Sequence, residues 1–477
     1  MKKFLLLAIC ALSVCLTGCS DNDTPEQLPD PELTLAPDAP IVFPAEGGSV
    51  EITVTTNMES WNAVSDQKWC NVAVSAGKFT VSAVENETPE AMPAATVTVT
   101  ATSGERSVSR ELQVSQEAGK EKYTDLSREG TSNCYLVTAA GNYSFDATVR
   151  GNGATTEGLD APTAIAGTSA AVVWQSAPGL ISGVTLADGR ISFKIAGPGN
   201  AVIAVKDGAI LWSWHIWYPE AEVAELNSKT GYEVMNMNLG AMHNTPGDVG
   251  SYGLLYQWGR KDPFPHPATC QDINKRADAV YAEGFEYAVS YPRNAGTESP
   301  YDNMTVEWSI AHPTTFMSDA MYEDWEERTS VADWLYNHHP NLWGNVTTSN
   351  NNISKVSLKS IYDPCPVGWK VPSPEDFAGI ERVSQSSPYY VTIHYNGNRT
   401  TNIPTGGTFV ETRFMNNGQL GRLYTNAPYN MHWGTWACRY GDISCTSIFF
   451  STGSVPSFIG TTDYYRYAAN PIRCIRE

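Results

Sequence analysis

The cysteines offer the most reactive chemistry in this sequence. The chain of 477 residues has ten of them, and two places draw attention: Cys365, in the segment DPCPVGWKVPSPEDF, and Cys438 with Cys445. A reactive thiol needs surroundings that stabilise its thiolate, and only Arg439 supplies a positive charge beside the Cys438 and Cys445 pair. We therefore favour a hairpin disulfide or two buried thiols at this pair over copper binding or thiol oxidation.

Other residues that could catalyse a reaction or hold a metal are isolated in the sequence. His338 and His339 are adjacent, and a metal site would need a third ligand from elsewhere. The segments YGDIS and GRKDP offer single carboxylates, whereas glycoside cleavage needs two facing carboxyl groups. No nucleophile elbow, phosphate-binding loop or dinucleotide fingerprint occurs. The sequence predicts no enzyme activity, no metal site and no cofactor.

Aromatic side chains of the C-terminal half offer surfaces for sugar rings. The flat apolar faces of such side chains can stack on a sugar, and polar neighbours can bond its hydroxyls. Tyr464, Tyr465 and Tyr467 lie in a segment expected to be a polar loop, which makes them the stronger ligand-binding candidates. Trp433 is a further candidate, although a loop-rich domain also needs tryptophans to fill its core.

The net charge argues against nucleic acid as a partner. The chain has 51 acidic and 31 basic residues, a net charge of −20 at pH 7, and no basic block. Phosphate contacts need clustered lysine and arginine, so the composition excludes this class and leaves neutral glycans open.

The first 37 residues predict export and lipid attachment. Lys2 and Lys3 precede an apolar run that is too short to span a membrane, so residues 1–18 have the pattern of a signal peptide. The following Cys19 completes a segment, LTGC, that resembles a bacterial lipobox. The next residues, SDND, resemble the export signal of Bacteroidetes-type surface lipoproteins. These resemblances imply lipidation of Cys19, a tether over 19–37, and an outer-membrane anchor facing the cell exterior.

Residues 38–118 show the alternation of a small β-sandwich. Val50, Ile52 and Val54 fall on one face of a predicted strand, while their polar neighbours fall on the other. Trp61, Trp69, the segment VSAGKFTVSAVEN and the closing LQVSQEAG together resemble a BACON domain. The resemblance implies an Ig-like module that binds carbohydrate or acts as a spacer, and we favour the spacer. A sandwich of this size needs both tryptophans in its core.

Residues 119–225 predict a second all-β sandwich. Alternating apolar residues around Ile191 to Ile195 and around Ala201 to Val205 indicate strands, and glycine-containing turns separate them. His215 stands between Trp214 and Ile216 in an apolar strand, where a hydrogen-bonded core histidine is the more common outcome than a ligand.

Residues 226–477 contain five blocks in an order that resembles the Fibrobacter succinogenes major paralogous domain. The blocks are VMNMNLGA, YGLLYQWGRKDPF, YDPCPVGWKVPSPEDF, RLYTNAP followed by WGTWACRY, and NPIRCIRE. The resemblance implies an α+β domain of the C-type-lectin or formylglycine-generating-enzyme type, with 265–360 as an insertion. The calcium signatures of sugar-binding C-type lectins are absent.

Within the third block, local signals predict a helix. Ser373 can cap its N-terminus and Pro374 suits its first position, so we expect a helix from Pro374 to about Val383. In the resembling fold such a helix packs beside the last strand, which implies a disulfide between Cys365 and Cys474.

These features together predict a multidomain surface lipoprotein in which two β-sandwich modules carry a non-catalytic binding head. A glycan is the favoured ligand, with a role in adhesion or capture. Two alternatives stay open. An envelope protein would be the ligand of a structural or assembly component. A formylglycine-generating-type oxidoreductase would require Cys438 and Cys445 to be reduced and accessible.

Overall fold

The structure is a computed structural model, and it divides the chain into two compact units. The N-terminal unit is Met1–Glu121 and the C-terminal unit is Lys122–Glu477. The residues that the structure describes are 29–227, 233–265, 305–317, 333–335, 339, 341–344, 358–373, 380–387, 390–395, 399–404, 408–410, 413–415, 420–429, 444–451 and 459–477.

The described part of the N-terminal unit is a sandwich of two four-stranded sheets. One sheet has the order β1-β3-β6-β5 and the other the order β2-β8-β7-β4. Neighbouring strands are antiparallel except β2 and β8, which are parallel. The strands are β1 Leu33–Ala36, β2 Ile41–Phe43, β3 Gly48–Thr56, β4 Ser60–Ser65, β5 Asn71–Ser75, β6 Lys78–Ala83, β7 Ala95–Ser103 and β8 Arg106–Gln116.

Alternation of apolar and polar residues builds the core of this sandwich. Ile52 and Phe79 of the first sheet pack with Val97 and Val99 of the second in one buried cluster. Every second residue of β7 points into the core, as a half-buried strand requires. The alternation predicted for β3 is confirmed, since Ile52 and its neighbours two positions away face inward.

The C-terminal unit begins with two further sheets that face each other. They have the orders β10-β16-β15-β12 and β13-β14-β11-β9. Phe145 and Phe193 from the second sheet share a core with Ile203 and Trp214 from the first. The strands are β9 Thr124–Asp125, β10 Cys134–Leu136, β11 Gly141–Asp146, β12 Ser169–Gln175, β13 Ile181–Ala187, β14 Arg190–Ile195, β15 Gly199–Asp207 and β16 Ala209–Tyr218.

The sheet that contains β15 and β16 is buried on both faces. Ile203 and Trp214 face the core just described, whereas Val202 and Trp217 face a second cluster that includes Leu239. Strands covered on both sides carry continuous apolar runs, as the segments NAVIAV and LWSWHIW do. The segments 119–225 and 226–477, predicted as separate modules, therefore form one unit in the structure.

The remaining described elements are short strands and one α-helix. The sheets have the orders β17-β18-β30-β20, β19-β29-β24-β25, β21-β22-β23 and β26-β27-β28. The elements are β17 Glu225–Asn227, β18 Glu233–Met235, β19 Tyr256–Gln257, α1 Val306–Ala311, β20 Trp369–Lys370, β21 Ile380–Ser387, β22 Tyr390–Tyr395, β23 Arg399–Pro404, β24 Thr408–Val410, β25 Arg413–Met415, β26 Leu420–Tyr429, β27 Ser444–Ser451, β28 Ile459–Tyr465, β29 Ala469–Asn470 and β30 Ile475–Arg476; Val249–Ser251 form a 3₁₀ turn.

The predicted helix from Pro374 to Val383 is wrong over its last residues. Residues 380–383 belong to β21, which pairs antiparallel with β22, while 374–379 lie outside the described residues. Pairing with a neighbouring strand overrides local helix signals. The described chain is nearly all-β rather than α+β. In the part that the structure describes, no helix is long and apolar enough to cross a membrane.

Candidate functional site

The predicted disulfide between Cys365 and Cys474 is present. Its Cα atoms are 6.1 Å apart, its sequence separation is 109, and both cysteines are buried. It lies beside the antiparallel pair of β20 and β30, which brings the segment before Trp369 to the last strand. Closing a loop of this length stabilises the fold by about 4 to 5 kcal/mol in the chain-entropy estimate.

A buried ion pair shapes the loop that carries Cys365. Lys359 Nζ lies 2.9 Å from Asp363 Oδ1, and both side chains are buried. Asp363 also accepts hydrogen bonds from the backbone N–H groups of Cys365 and Val371, both at 2.8 Å. Lys359 Nζ donates to the carbonyl of Cys365 at 2.7 Å. With its sulfur in a disulfide and its backbone held by these bonds, Cys365 has a structural role.

Cys134, His215 and Asn200 form an arrangement like that of a thiol nucleophile with its base and orienting amide. Cys134 Sγ is 3.3 Å from His215 Nδ1, and His215 Nε2 is 2.9 Å from Asn200 Oδ1. Parallel pairing of β10 with β16 sets Cys134 opposite His215. Because Asn200 Oδ1 only accepts, His215 carries its proton on Nε2, and its Nδ1 accepts a hydrogen bond from the Cys134 thiol.

Burial prevents this trio from acting as a nucleophilic site. Cys134 is 0% exposed and His215 is 1% exposed, so no substrate reaches the sulfur. Burial raises the pKa of the Cys134 thiol and lowers the pKa of His215 to about 3. Both groups are therefore neutral at pH 7, whereas catalysis needs the thiolate. The prediction that His215 is a hydrogen-bonded core histidine is confirmed.

A different group of polar side chains lies around Trp212, at the edge of the first core of the C-terminal unit. The Arg150 guanidinium lies over the Trp212 ring with its Cζ 5.2 Å from the centroid, and the Tyr362 ring centroid is 5.9 Å from that of Trp212. Glu307 and Asp160 are close enough to Tyr362 to raise the pKa of its hydroxyl. We call Arg150, Asp160, Glu307 and Tyr362, with Trp212 as their floor, the Arg150 cluster.

Backbone contacts fix the position of the Arg150 cluster. Arg150 opens a tight turn in which Gly153 N–H donates to its carbonyl at 2.9 Å. Gly151 in this turn has φ +52°, and a Cβ there would lie 2.2 Å from the Ile361 carbonyl oxygen. The position therefore requires glycine, because the turn packs against the backbone of Ile361, the residue before Tyr362.

The Asn133 side chain hydrogen-bonds both to Trp212 and to the segment that contains Tyr362. Its Oδ1 accepts from Trp212 Nε1 at 2.9 Å, and its Nδ2 donates to the Ile361 carbonyl at 2.7 Å. The segment before the disulfide is thus held against β16, which fixes Tyr362 beside Trp212.

The polar groups of the Arg150 cluster have no partners among the described residues. The Arg150 guanidinium makes neither a hydrogen bond nor an ion pair there, and its Nε is buried without a partner. Its two terminal nitrogens are not fully buried. Burial raises the pKa of Tyr362, with Glu307 and Asp160 adding to the effect and Arg150 opposing it.

The charge of a second cation at Trp212 is already compensated. Lys261 Nζ lies 4.7 Å from the Trp212 centroid and 2.7 Å from Asp262 Oδ1. It also donates to Ser213 Oγ at 2.6 Å. Burial lowers the pKa of Lys261, and Asp262 opposes that effect. Arg150 is therefore the cation at this ring that has no counter-charge among the described residues.

The sequence-predicted ligand residues are only partly described. Tyr464 and Tyr465 lie at the end of β28, on a strand rather than in the expected loop, and their side chains lie outside the described part. Tyr467 is 5% exposed and belongs to the first core, which argues against its ring stacking on a ligand. Trp433 lies outside the described residues, as does the lipidation residue Cys19.

Other residues considered from the sequence are placed as follows. Cys438 and His338 lie outside the described residues, and Cys445 is on β27. Trp61 and Trp69 pack against the core of the N-terminal unit, as expected. Among the described residues, no three His, Cys, Asp or Glu side chains converge in a way that could hold a metal ion.

Sequence reasoning missed the Arg150 cluster because its members come from distant segments. Arg150 and Asp160 lie in one loop, Glu307 lies on α1, and Tyr362 precedes Cys365. One available signal was Gly151 beside an arginine in a turn, since glycine there permits close approach of another backbone.

Comparison with known proteins identifies one domain. Residues 32–115 match the family described as the viral BACON domain, which covers most of the predicted 38–118 module. A search of curated proteins finds no significant match.

Solved structures give only distant similarities. An endo-fucoidan hydrolase from glycoside hydrolase family 107 matches at 15% identity and TM-score 0.14, over 37% of this chain and 32% of that chain. A SusE-like surface-located polysaccharide-binding protein from the Bacteroides thetaiotaomicron heparin utilisation locus matches at 11% identity and TM-score 0.14, over 44% of this chain and 38% of that chain. A chimeric titin Z1Z2 protein matches at 10% identity and TM-score 0.16, over 41% and 100%. Scores this low support no inference about function.

Proposed function

We propose that this protein is a surface lipoprotein that binds a saccharide without transforming it. The observation that carries this proposal is the Arg150 cluster, where a half-buried guanidinium, a half-buried phenol and two exposed carboxylates, without partners among the described residues, lie around the buried Trp212 ring. Saccharides are recognised by aromatic faces together with a few well-placed polar groups. Arg150 supplies donors, Glu307 and Asp160 supply acceptors, and Tyr362 supplies a ring edge and a hydroxyl.

Two of the described cysteines are unavailable as nucleophiles, which supports a binding role at their positions. The Cys134 thiol is buried and neutral, and Cys365 is bonded to Cys474. A binding role needs only the fixed geometry that the Gly151 and Asn133 contacts supply.

Attachment to the cell surface is the second part of the proposal. The lipobox-like segment ending at Cys19 and the acidic residues after it support an outer-membrane anchor that faces the exterior. The BACON-like N-terminal unit would then be a spacer. Metabolic labelling with palmitate should label the wild type and leave the Cys19→Ser variant unlabelled. Labelling of both proteins would contradict the anchor at Cys19.

The assignment of residues 226–477 to the Fibrobacter succinogenes major paralogous domain, with a C-type-lectin-like fold, remains part of the proposal. The Cys365 and Cys474 disulfide that this resemblance implies supports it.

A glycan array tests the binding function. The purified protein should bind a subset of immobilised glycans, and Arg150→Ala should lose that binding because the variant lacks the donors of the cluster. Arg128→Ala is the matched control, since Arg128 is 80% exposed and pairs only with neighbouring Glu129 among the described residues. A folded protein that binds no glycan would overturn the proposal. Capture of an envelope protein that Arg150→Ala and added glycan leave unchanged would favour the assembly role instead.

A further inference from the structure

We infer that the saccharide bound at the Arg150 cluster is acidic and that its carboxylate or sulfate pairs with the Arg150 guanidinium. This inference rests on the proposed saccharide-binding function and specifies the class of ligand.

The Arg150 guanidinium lies over Trp212, with its Cζ 5.2 Å from the ring centroid. Its Nε is buried without a hydrogen-bond partner among the described residues. The remaining end, with Nη1 and Nη2, is not fully buried, and two parallel N–H groups there match the two oxygens of a carboxylate or sulfate. The structure thus presents a bidentate anion-binding end on an arginine held in place by an aromatic ring.

The electrostatic situation of Arg150 favours a charged partner over a hydroxyl group. A half-buried cation that has lost part of its hydration is stabilised most by an opposite charge. The other buried cations nearby already have one, since Lys261 pairs with Asp262 and Lys359 pairs with Asp363. In contrast, Arg150 makes no ion pair with any residue that the structure describes, so an anionic ligand would supply its counter-charge.

The two carboxylates would then accept hydrogen bonds from the hydroxyl groups of the same ligand. Glu307 and Asp160 are exposed, close enough to Tyr362 to act on the pKa of its hydroxyl, and free of described partners. Carboxylates accept hydrogen bonds from sugar hydroxyls and repel a second anionic group. The site should therefore prefer a saccharide with one acidic group at Arg150 and free hydroxyls facing Glu307 and Asp160, over a densely charged polymer.

Matched oligosaccharides test the inference by isothermal titration calorimetry. The probes are oligosaccharides with a single uronic acid residue, their carboxyl-reduced neutral counterparts, and the reduced chains with a single O-sulfate, together with the acidic and neutral members of the glycan array. We expect acidic members to bind at least about tenfold more tightly than neutral ones, because a charge-assisted hydrogen bond is worth about 1.5–3 kcal/mol. Preference between the carboxylated and the sulfated probe identifies the anionic group.

Variants of Arg150 separate recognition from folding. Arg150→Gln should weaken binding of acidic probes by about 10- to 100-fold and binding of neutral probes by less, because glutamine keeps a hydrogen-bond donor and loses the charge. Arg150→Lys should recover part of the affinity, since it keeps the charge and loses the paired donors. Arg128→Gln should behave as wild type. If Arg150→Gln does not fold, the wild-type affinity for acidic probes should still fall as salt increases.

The outcomes distinguish the two proposals. Equal binding of acidic and neutral members, or affinity that neither salt nor the Arg150 variants change, overturns the acidic ligand and leaves saccharide binding intact. Failure of the folded protein to bind any glycan overturns both.

Discussion

The two units of this chain are stabilised in different ways. The N-terminal unit is an alternating apolar sandwich whose ion pair between Lys78 and Glu51 is about half exposed. The C-terminal unit buries charges completely, in the pairs Lys261 with Asp262, Lys359 with Asp363 and Arg466 with Asp333. It also contains the disulfide. The comparison teaches that the first unit depends on apolar area, while the second depends on specific long-range partners.

This difference determines which substitutions destabilise each unit most. Burying an ion pair is close to neutral for stability as a whole, yet removing one partner leaves an uncompensated charge and costs several kcal/mol. Loss of a methylene group in a sandwich costs much less. Hydrogen–deuterium exchange with mass spectrometry reports the stability of each unit separately, because its peptides belong to one unit or the other.

Reduction of the disulfide is expected to have the largest effect. Treatment with a phosphine reductant should lower the free energy of unfolding of the C-terminal unit by about 4 to 5 kcal/mol, since a loop of 109 residues is released in the unfolded chain. Exchange in the N-terminal unit should stay unchanged, because its described cysteine, Cys70, is free. Equal loss in both units would contradict the comparison.

Removal of one buried charge is expected to have the next largest effect. Asp363→Asn should destabilise the C-terminal unit by about 3–5 kcal/mol, because it leaves Lys359 buried without a counter-charge. Glu51→Gln removes the exposed pair of the N-terminal unit and should cost less than about 1 kcal/mol. Similar costs for the two variants, measured by exchange, would show that the two units do not differ in this respect.

Acid should destabilise the C-terminal unit more than the N-terminal unit, because the C-terminal unit contains the buried His215. The pKa of His215 is about 3 in the folded chain and about 6.5 when unfolded, so the unfolded chain binds the proton first as pH falls. Stability is therefore complete above pH 6.5 and decreases by about 1.4 kcal/mol per pH unit below it, or about 2 kcal/mol at pH 5.

His215→Gln should reduce this slope for the C-terminal unit. The N-terminal unit has no histidine and should change little between pH 7 and pH 5. Exchange measured across this range checks both expectations. An unchanged slope in His215→Gln would assign the acid sensitivity to other groups.

A single methylene in the N-terminal core is expected to have the smallest effect. Ile52→Val should lower the stability of that unit by about 1 kcal/mol, since Ile52 is fully buried between the sheets. Val42→Ala removes apolar atoms from a side chain that is 61% exposed and should change stability by less than about 0.5 kcal/mol. Equal effects in chemical denaturation would mean that burial does not govern this unit.

The sequence predicted features that local patterns or a family resemblance determine. Alternation around Ile52 predicted the sandwich, and the resemblance of the last segment predicted the bond between Cys365 and Cys474. The helix expected from Pro374 was wrong at its end because pairing with β22 is a long-range contact that local capping signals do not report.

The candidate site was beyond prediction for a related physical reason. Arg150, Glu307 and Tyr362 are more than 50 residues apart in the sequence, and only the packing of their segments around Trp212 brings them together. The contact between Cys134 and His215 likewise depends on the register of β10 against β16. The tyrosines near residue 465 were favoured because their segment is polar, yet the neighbouring Tyr467 is buried.

The sheet that is covered on both faces determines which segments of this chain can fold independently. A fragment that ends at residue 225 would leave Val202 and Trp217 facing water, and one that begins at 226 would lack the sheet beneath Leu239. Either fragment would expose a broad apolar surface and tend to aggregate. Residues 122–477 should therefore be expressed as one piece. The BACON-like sandwich has its own complete core and can be expressed or replaced separately.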